Sequence, residues 1–475
     1  MNDRPVQSLD IPTADAARPP APLRAVLPFV ILLVLLVAPL GFLGDLRGDL
    51  PLYLVLVTAT ALLLHTVHHR LERRGIDLSH GTILGVAIAL RILLLPMAPS
   101  LSDDAWRYVW DGRLLLHGVN PYHHTPASAA LAPFADGLLQ RQGYPTTHTI
   151  YPPGAELLFA TAVAVGETTG TGYVGGYYFW KILLVAGEIV AIHLLLLMLE
   201  RTGMPRRRAI LYAWHPLVLV ELAGQGHTDG LWVLSLAIFL WMVARRSAVG
   251  SAFGLAFGAI TRLFTLLLVP LWWRIMTPRQ RRAGAIALAV GMVLFLPLLE
   301  PRAFASFTSV GIRFTNYYEF NGGFYRALKW LLDELHAAPS NAIAGMVGVV
   351  AQGSLFLIVW IARRWRSDEL QSVASGALAI VTAQLFFGTK VHVWYFVAPL
   401  FLLVVARGSI FRTAWLWVAL VAPFTYLYYG WEPHAERVVV IALEWGGFIA
   451  IAAGSLLVEQ RRRLLQPERR EEAIT

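Results

Sequence analysis

Residues Ser102 to Tyr122 read SDDAWRYVWDGRLLLHGVNPY. They follow an apolar run that ends at Pro96 and Pro99, so Asp103 and Asp104 stand where the chain is expected to leave a bilayer. Carboxylates beside a membrane are costly and tend to serve function. On a helix of about 100° per residue, Asp103, Arg107, Asp111 and Asp104 share roughly a 100° arc. Trp106, Trp110 and His117 take the neighbouring arc. The pattern predicts an amphipathic helix at a membrane surface, with tryptophans in the interface and charges facing outward or into a cleft. A plain amphipathic connector has the same periodicity; the acidic pair is what favours a site.

The rest of the chain sets that helix in a membrane protein. Of 475 residues, 57% are hydrophobic and 15% charged, with a mean hydropathy of +0.58. Apolar runs recur at 25–43, 50–67, 80–97, 176–199, 209–222, 230–244, 283–299, 341–361, 372–388, 394–406, 413–428 and 438–458. The fold class is therefore all-α, a polytopic transmembrane helical bundle with a long first outward loop, 98–150. The net charge of +9 comes largely from arginines at the ends of apolar runs, as the positive-inside rule requires, and gives no reason to expect nucleic acid as a partner. Only Lys181, Lys329 and Lys390 are lysines, and the absence of cysteine excludes disulfides and thiolate metal sites. The first apolar run, Ala25–Leu43, is longer than the apolar core of a signal peptide and reads as a span.

Charge orients the spans. The run HHRLERRG at 68–75 should be cytoplasmic, which places 98–150 outside. If 153–168 then crossed fully, Arg201, Arg206, Arg207, Arg208, Arg245 and Arg246 would all be translocated. The segment 249–273 poses the same problem, with Arg245 and Arg246 before it and Arg274 to Arg282 after it. Two re-entrant or broken segments resolve the conflict, leaving about twelve full spans with both termini inside. The alternative is about fourteen crossings with an inverted middle.

In the preferred topology the chemistry collects outside. The outward loops hold AGQGHTDG (223–230), RFTNYYEFNGGFYRALKW (313–330), FGTKVHVWYF (387–396) and YGWEPHAER (429–437). The inward loops are short and Arg-rich, without a Gly-rich phosphate loop or the length to fold alone. His227 and Asp229 either line an outward cavity or form a polar turn in which Asp229 caps the next helix. Arg262 lies mid-segment in GAITRLFTLLLVP and must pair or face water. At a hairpin tip it would reach the cavity and hold a phosphate; otherwise it snorkels. Lys390, His392, Trp394 and Tyr395 suit a phosphate, a hydrogen bond and a sugar or isoprenoid face, and equally an aromatic belt with its lysine anchor. Tyr317, Tyr318, Asn321, Gly322 and Gly323 suggest a flexible substrate-side loop. His123 and His124 match no metal-ligand spacing.

SDDAWRYVWDGRLLLHGVNPY, then YPPGAELLF, WHPLVLVELAGQGHTDGLW and KVHVWYF, in this order from about residue 80 to 400, resemble the polyprenyl-phosphate-mannose-dependent mannosyltransferases of glycosyltransferase family 87, within the GT-C superfamily. The resemblance implies a helical membrane bundle whose first outward loop carries an acidic motif. It implies inverting transfer of a hexose, mannose by preference, from a polyprenyl-phosphate donor to a glycan or glycolipid acceptor at the outer face of the cell's inner membrane. The family's first-loop acid maps onto Asp103, with Asp104 as the alternative; Arg107, Asp111, Tyr151, His227, Asp229, Arg262, Lys390, His392, Trp394 and Tyr395 are the substrate-binding candidates. At Arg262 relatives often carry lysine. No cofactor or metal ligand set is required, although a divalent cation is compatible with the acidic pair. The organisation expected is a disordered cytoplasmic tail (1–24), one integral-membrane catalytic domain (25–458) and a basic cytoplasmic tail (459–475). A transporter or flippase for a lipid-linked sugar is the competing class; it would share the broken helices and the outward cavity.

Overall fold

The structure is a computed structural model that describes residues 23–293, 298–316, 318–361, 369–408, 411–430 and 434–464. The expected tails fall outside these residues at 1–22 and 465–475, and Tyr317 and 431–433 do so as well. The last helix, Gly447–Leu464, continues past the end expected for it at 458.

The described residues form an all-helical bundle. Four helices are long and apolar enough to cross a membrane: Leu50–Arg73, Gly172–Arg201, Ser340–Ile358 and Val438–Arg461. A fifth crossing arises if Pro216–Gly224 and Asp229–Ala244, bent by 114° at their break, count as one. Against the roughly twelve spans expected from hydropathy, the other apolar runs form helices of 10–17 residues, among them Leu27–Phe42, His80–Leu94 and Leu370–Phe386.

Helices α1 (Leu27–Phe42), α2 (Leu50–Arg73) and α3 (His80–Leu94) lead to α4 (Asp104–Leu116). The passage from α3 to α4 carries the acidic pair and is tied down by groups from elsewhere. Lys181 Nζ donates to the carbonyls of Leu94, Leu95 and Met97 at 3.1, 2.8 and 2.8 Å, so an ammonium caps the end of α3. Gln225 Oε1 accepts from the amides of Ser100 and Leu101. Further down α3, Arg91 is fully buried and bidentate to Glu188, at 2.8 and 2.5 Å. Pairing of that kind is what makes a buried charge tolerable.

Helix α4 corrects the interfacial expectation. Trp106, Arg107, Tyr108, Trp110 and Asp111 are all buried, because α4 packs on Pro153–Thr168 and Gly172–Arg201 around a second, smaller core. Gly112 permits the approach: a Cβ there would sit 2.5 Å from the backbone of Phe159. The helix ends at Gly118, φ +76°, with Val119 N–H bonded to Leu114 O and Gly118 N–H to Leu115 O. Only glycine adopts that left-handed closing conformation without strain.

Of the two segments expected to be re-entrant or broken, 153–168 is one continuous helix, Pro153–Thr168, and 249–273 is broken. The helix Ala248–Thr261 stops at Arg262, whose backbone is extended at φ −154°, ψ 103°, and a 3₁₀ turn Leu263–Leu268 follows. Thr265 Oγ1 lies 3.0 Å from Ser235 Oγ and packs against Gly258, so the chain folds back on itself with Arg262 at the tip. The outward stretch 300–340 carries two helices, Pro301–Asn316 and Gly323–Glu334, and Tyr318 to Gly322, where a substrate-side loop is expected, connect them. Both are strongly amphipathic, which a polar loop reading overlooks.

Candidate active site

Asp103, Asp104, Arg107, Tyr151, Arg262, Lys390, His392, Trp394 and Tyr395 line one cavity of about 540 Å³. The remaining candidates support its wall. Asp111 accepts from Arg107, Asp229 pairs with Arg262, and His227 stacks on Trp394. Five stretches of the chain thus meet in one place.

One group on the cavity wall is acidic. Asp103 Oδ1 accepts from Arg47 Nη2 at 2.8 Å, and the Arg47 guanidinium lies 4.2 Å from the centre of the Tyr429 ring. Sequence reading expects Arg107, one turn on, to hold Asp103. Instead Arg107 Nε reaches both oxygens of Asp111 at 2.9 Å, and Nη1 donates to Thr147 O. Asp103 precedes the first helical residue, so the i,i+4 register does not join it to Arg107. Asp111 lies in register and is buried, and a buried carboxylate needs the counter-charge more. Asp104 opens α4 and turns into the cavity.

A second group is cationic and aromatic. Lys390 Nζ lies 4.0 Å from the ring centre of Phe314, 5.2 Å from Tyr318 and 5.5 Å from Tyr144. Its backbone is held by bridges to Phe320 and Asn321, with Val391 N–H donating to Phe320 O at 2.7 Å. Burial pushes the Lys390 ammonium down to about 8; the charge of Asp104 opposes that shift and Arg262 adds to it. Arg262 lies between the rings of Phe264 and Tyr395, 5.0 Å from each, and its Nη2 is 3.2 Å from both oxygens of Asp229. Asp229 is therefore not the capping residue of its helix: it stands in the first turn, without a side-chain cap bond, and neutralises Arg262. Arg262 Nε is buried with no hydrogen-bond partner among the described residues.

Four rings join the two halves of the chain. His227 stacks on Trp394 at 3.8 Å, Trp394 on His392 at 4.3 Å, and His392 on Phe320 at 4.8 Å. Behind them His227 Nδ1 lies 3.1 Å from Glu221, which accepts from Tyr426 Oη at 3.0 Å. Burial holds His392 well below its ordinary value, which leaves a neutral imidazole on the cavity wall. His123, the other candidate histidine, bonds Glu300 at 2.7 Å.

Sequence reading missed several lining residues: Arg47, Tyr144, Glu319, Tyr428, Tyr429 and Glu436. Four of these, Tyr144, Glu319, Tyr429 and Glu436, lie in the stretches read as outward loops; Arg47 sits alone in a short turn, where a single arginine looks like a span flank.

The cavity thus brings carboxylates and half-buried cations together. A carboxylate can take a proton from a hydroxyl, and cations in a dry, aromatic setting can hold an anionic leaving group. Residues 34–278 match the family model described as alpha-(1->6)-mannopyranosyltransferase, N-terminal domain. No curated protein matches the chain.

Proposed function

From a chain that belongs to the alpha-(1->6)-mannopyranosyltransferase family, and so is a mannosyltransferase, we propose an inverting transfer of mannose from a polyprenyl-phosphate donor to a glycan or glycolipid acceptor at the outer face of the inner membrane. The observation that carries this reading is the convergence of Asp103 and Asp104 with Arg262 and Lys390 on one cavity. Arg262 and Lys390 hold the phosphate and stabilise it as it departs, so no strong general acid is needed. Asp103 takes the proton of the attacking hydroxyl. Arg47 occupies one of its oxygens and orients the carboxylate, the service first expected of Arg107. The anomeric carbon becomes cationic in the transition state, which acidifies the hydroxyl late enough for a weak base to suffice. Asp104 has a different part: its charge favours the ammonium form of Lys390 against burial.

The test is transfer by the purified chain in proteoliposomes. Polyprenyl-phosphate mannose and an α-(1→6)-linked mannooligosaccharide should give an elongated product with inverted anomeric configuration. A product that retains configuration, or activity with a nucleotide-sugar alone, sinks this reading.

A further inference from the structure

The cavity has more aromatic wall than the donor end uses. Rings at that end are already engaged: Tyr144, Phe314 and Tyr318 surround the Lys390 ammonium, and Tyr395 faces the Arg262 guanidinium. Trp394 and His392 are stacked on one another. Near the Arg47–Asp103 pair the cavity is also lined by Tyr428, Tyr429 and His434. Tyr428 meets Phe320 and Tyr429 edge to face, at 74° and 85°, and His434 at a 43° tilt. Among the described residues, no parallel ring and no guanidinium is recorded on it. Its neighbour Tyr429 carries Arg47, which is bound to Asp103. Both tyrosines are half-buried, so they present surface to the cavity.

We infer that Tyr428, Tyr429 and the Arg47–Asp103 pair form the subsite for the acceptor's terminal pyranose, an inference that rests on the function proposed above. A pyranose has an apolar C–H face and a rim of hydroxyls. The Tyr428 ring, half-buried on the cavity wall, matches the first. The Arg47–Asp103 pair, with side chains 31% and 44% exposed, matches the second: the guanidinium donates to one hydroxyl while the carboxylate accepts from the next. A sugar held there has its hydroxyl beside Asp103, in the same cavity that Lys390 lines. Its three residues besides the acid, Arg47, Tyr428 and Tyr429, are none of those proposed to hold the phosphate, and Tyr428 and Tyr429 lie beyond the matched family domain.

Kinetics of the full-length protein in proteoliposomes test the assignment, with polyprenyl-phosphate mannose and an α-(1→6)-mannotriose probe varied in turn. Tyr428→Leu should raise the acceptor KM by about five- to tenfold, the worth of an aromatic contact, and leave the donor KM within about twofold. Tyr428→Phe, which keeps the ring, should retain the wild-type acceptor KM and serves where the leucine variant fails to insert. Arg47→Gln should raise the acceptor KM as well. An unchanged acceptor KM in Tyr428→Leu and Arg47→Gln, or a rise confined to the donor KM, overturns the subsite while leaving the function standing. A wild-type protein inert toward the donor overturns both.

Discussion

At the residue scale, Asp103 and Lys390 carry opposite tasks, and each yields a measurement. Asp103→Asn keeps the shape but cannot act as a carboxylate base, so turnover at saturating donor should fall at least about 10²-fold. Donor binding should persist; a near-normal rate in that variant would move the base to Asp104. Lys390 titrates near 8, and its charged form is the one that holds phosphate. Donor kcat/KM should therefore decline as pH rises through about 8. Asp104→Asn removes the anion that favours the ammonium, so the decline should move to lower pH. A pH profile that does not move in this variant would detach Asp104 from Lys390. The acids, Arg262 and the Lys390 cluster were legible in the sequence because polar groups stand out against an apolar chain, where they must be paired or functional; Arg47, Tyr144, Glu319, Tyr428, Tyr429 and Glu436 were not. Nor were the partners of the legible residues. The choice of Arg47 over Arg107 for Asp103 depends on which residue starts α4, and helix starts are poorly specified by periodicity.

At the element scale, the acidic pair is positioned by the end of α3, and that end is fastened by Lys181. Lys181→Met would leave three carbonyls without their donor. The loss should destabilise the protein by about 1–3 kcal/mol, read as a lower unfolding midpoint in lipid nanodiscs. It should also lower turnover, since the segment bearing Asp103 loses its anchor; an intact rate would show that Gln225 alone suffices. This role escaped sequence reading because a lysine within an apolar run looks like a snorkelling residue. Helix α4 misled for a related reason. A helix whose charges are paired inside the protein has the same arc of polar residues as one lying in a lipid interface. Only the packing of Gly112 on Phe159 tells them apart, and that contact is not written in either segment alone. The break at Arg262 was legible, by contrast, because charge on both flanks of 249–273 forbade an uninterrupted crossing.

At the scale of the whole molecule, topology is the open measurement. Arginines at 201–208 and 245–246 predict a cytoplasmic face there. In this cysteine-free chain, Thr202→Cys and Ser247→Cys should resist an impermeant thiol reagent in intact cells and react after permeabilisation. Ready labelling of both in intact cells would require the inverted middle. The convergence of distant loops on one cavity was foreseeable from the charge rule, since it sorted them to a common side. Their mutual distances were not, because no local pattern says which loop leans on which.

The ring stack that fastens His227 to Trp394 also partitions inheritance along the chain. The matched family domain ends at residue 278, so it contains both acids and Arg262 but half of the cavity wall. Lys390, His392, Trp394 and Tyr428 come from the other half. A fragment cut near that boundary would hold an unfinished cup, whereas a graft of a relative's later half would complete it. In such hybrids the proton acceptor would stay constant while the sugar platform changed hands, so acceptor preference would travel with the graft.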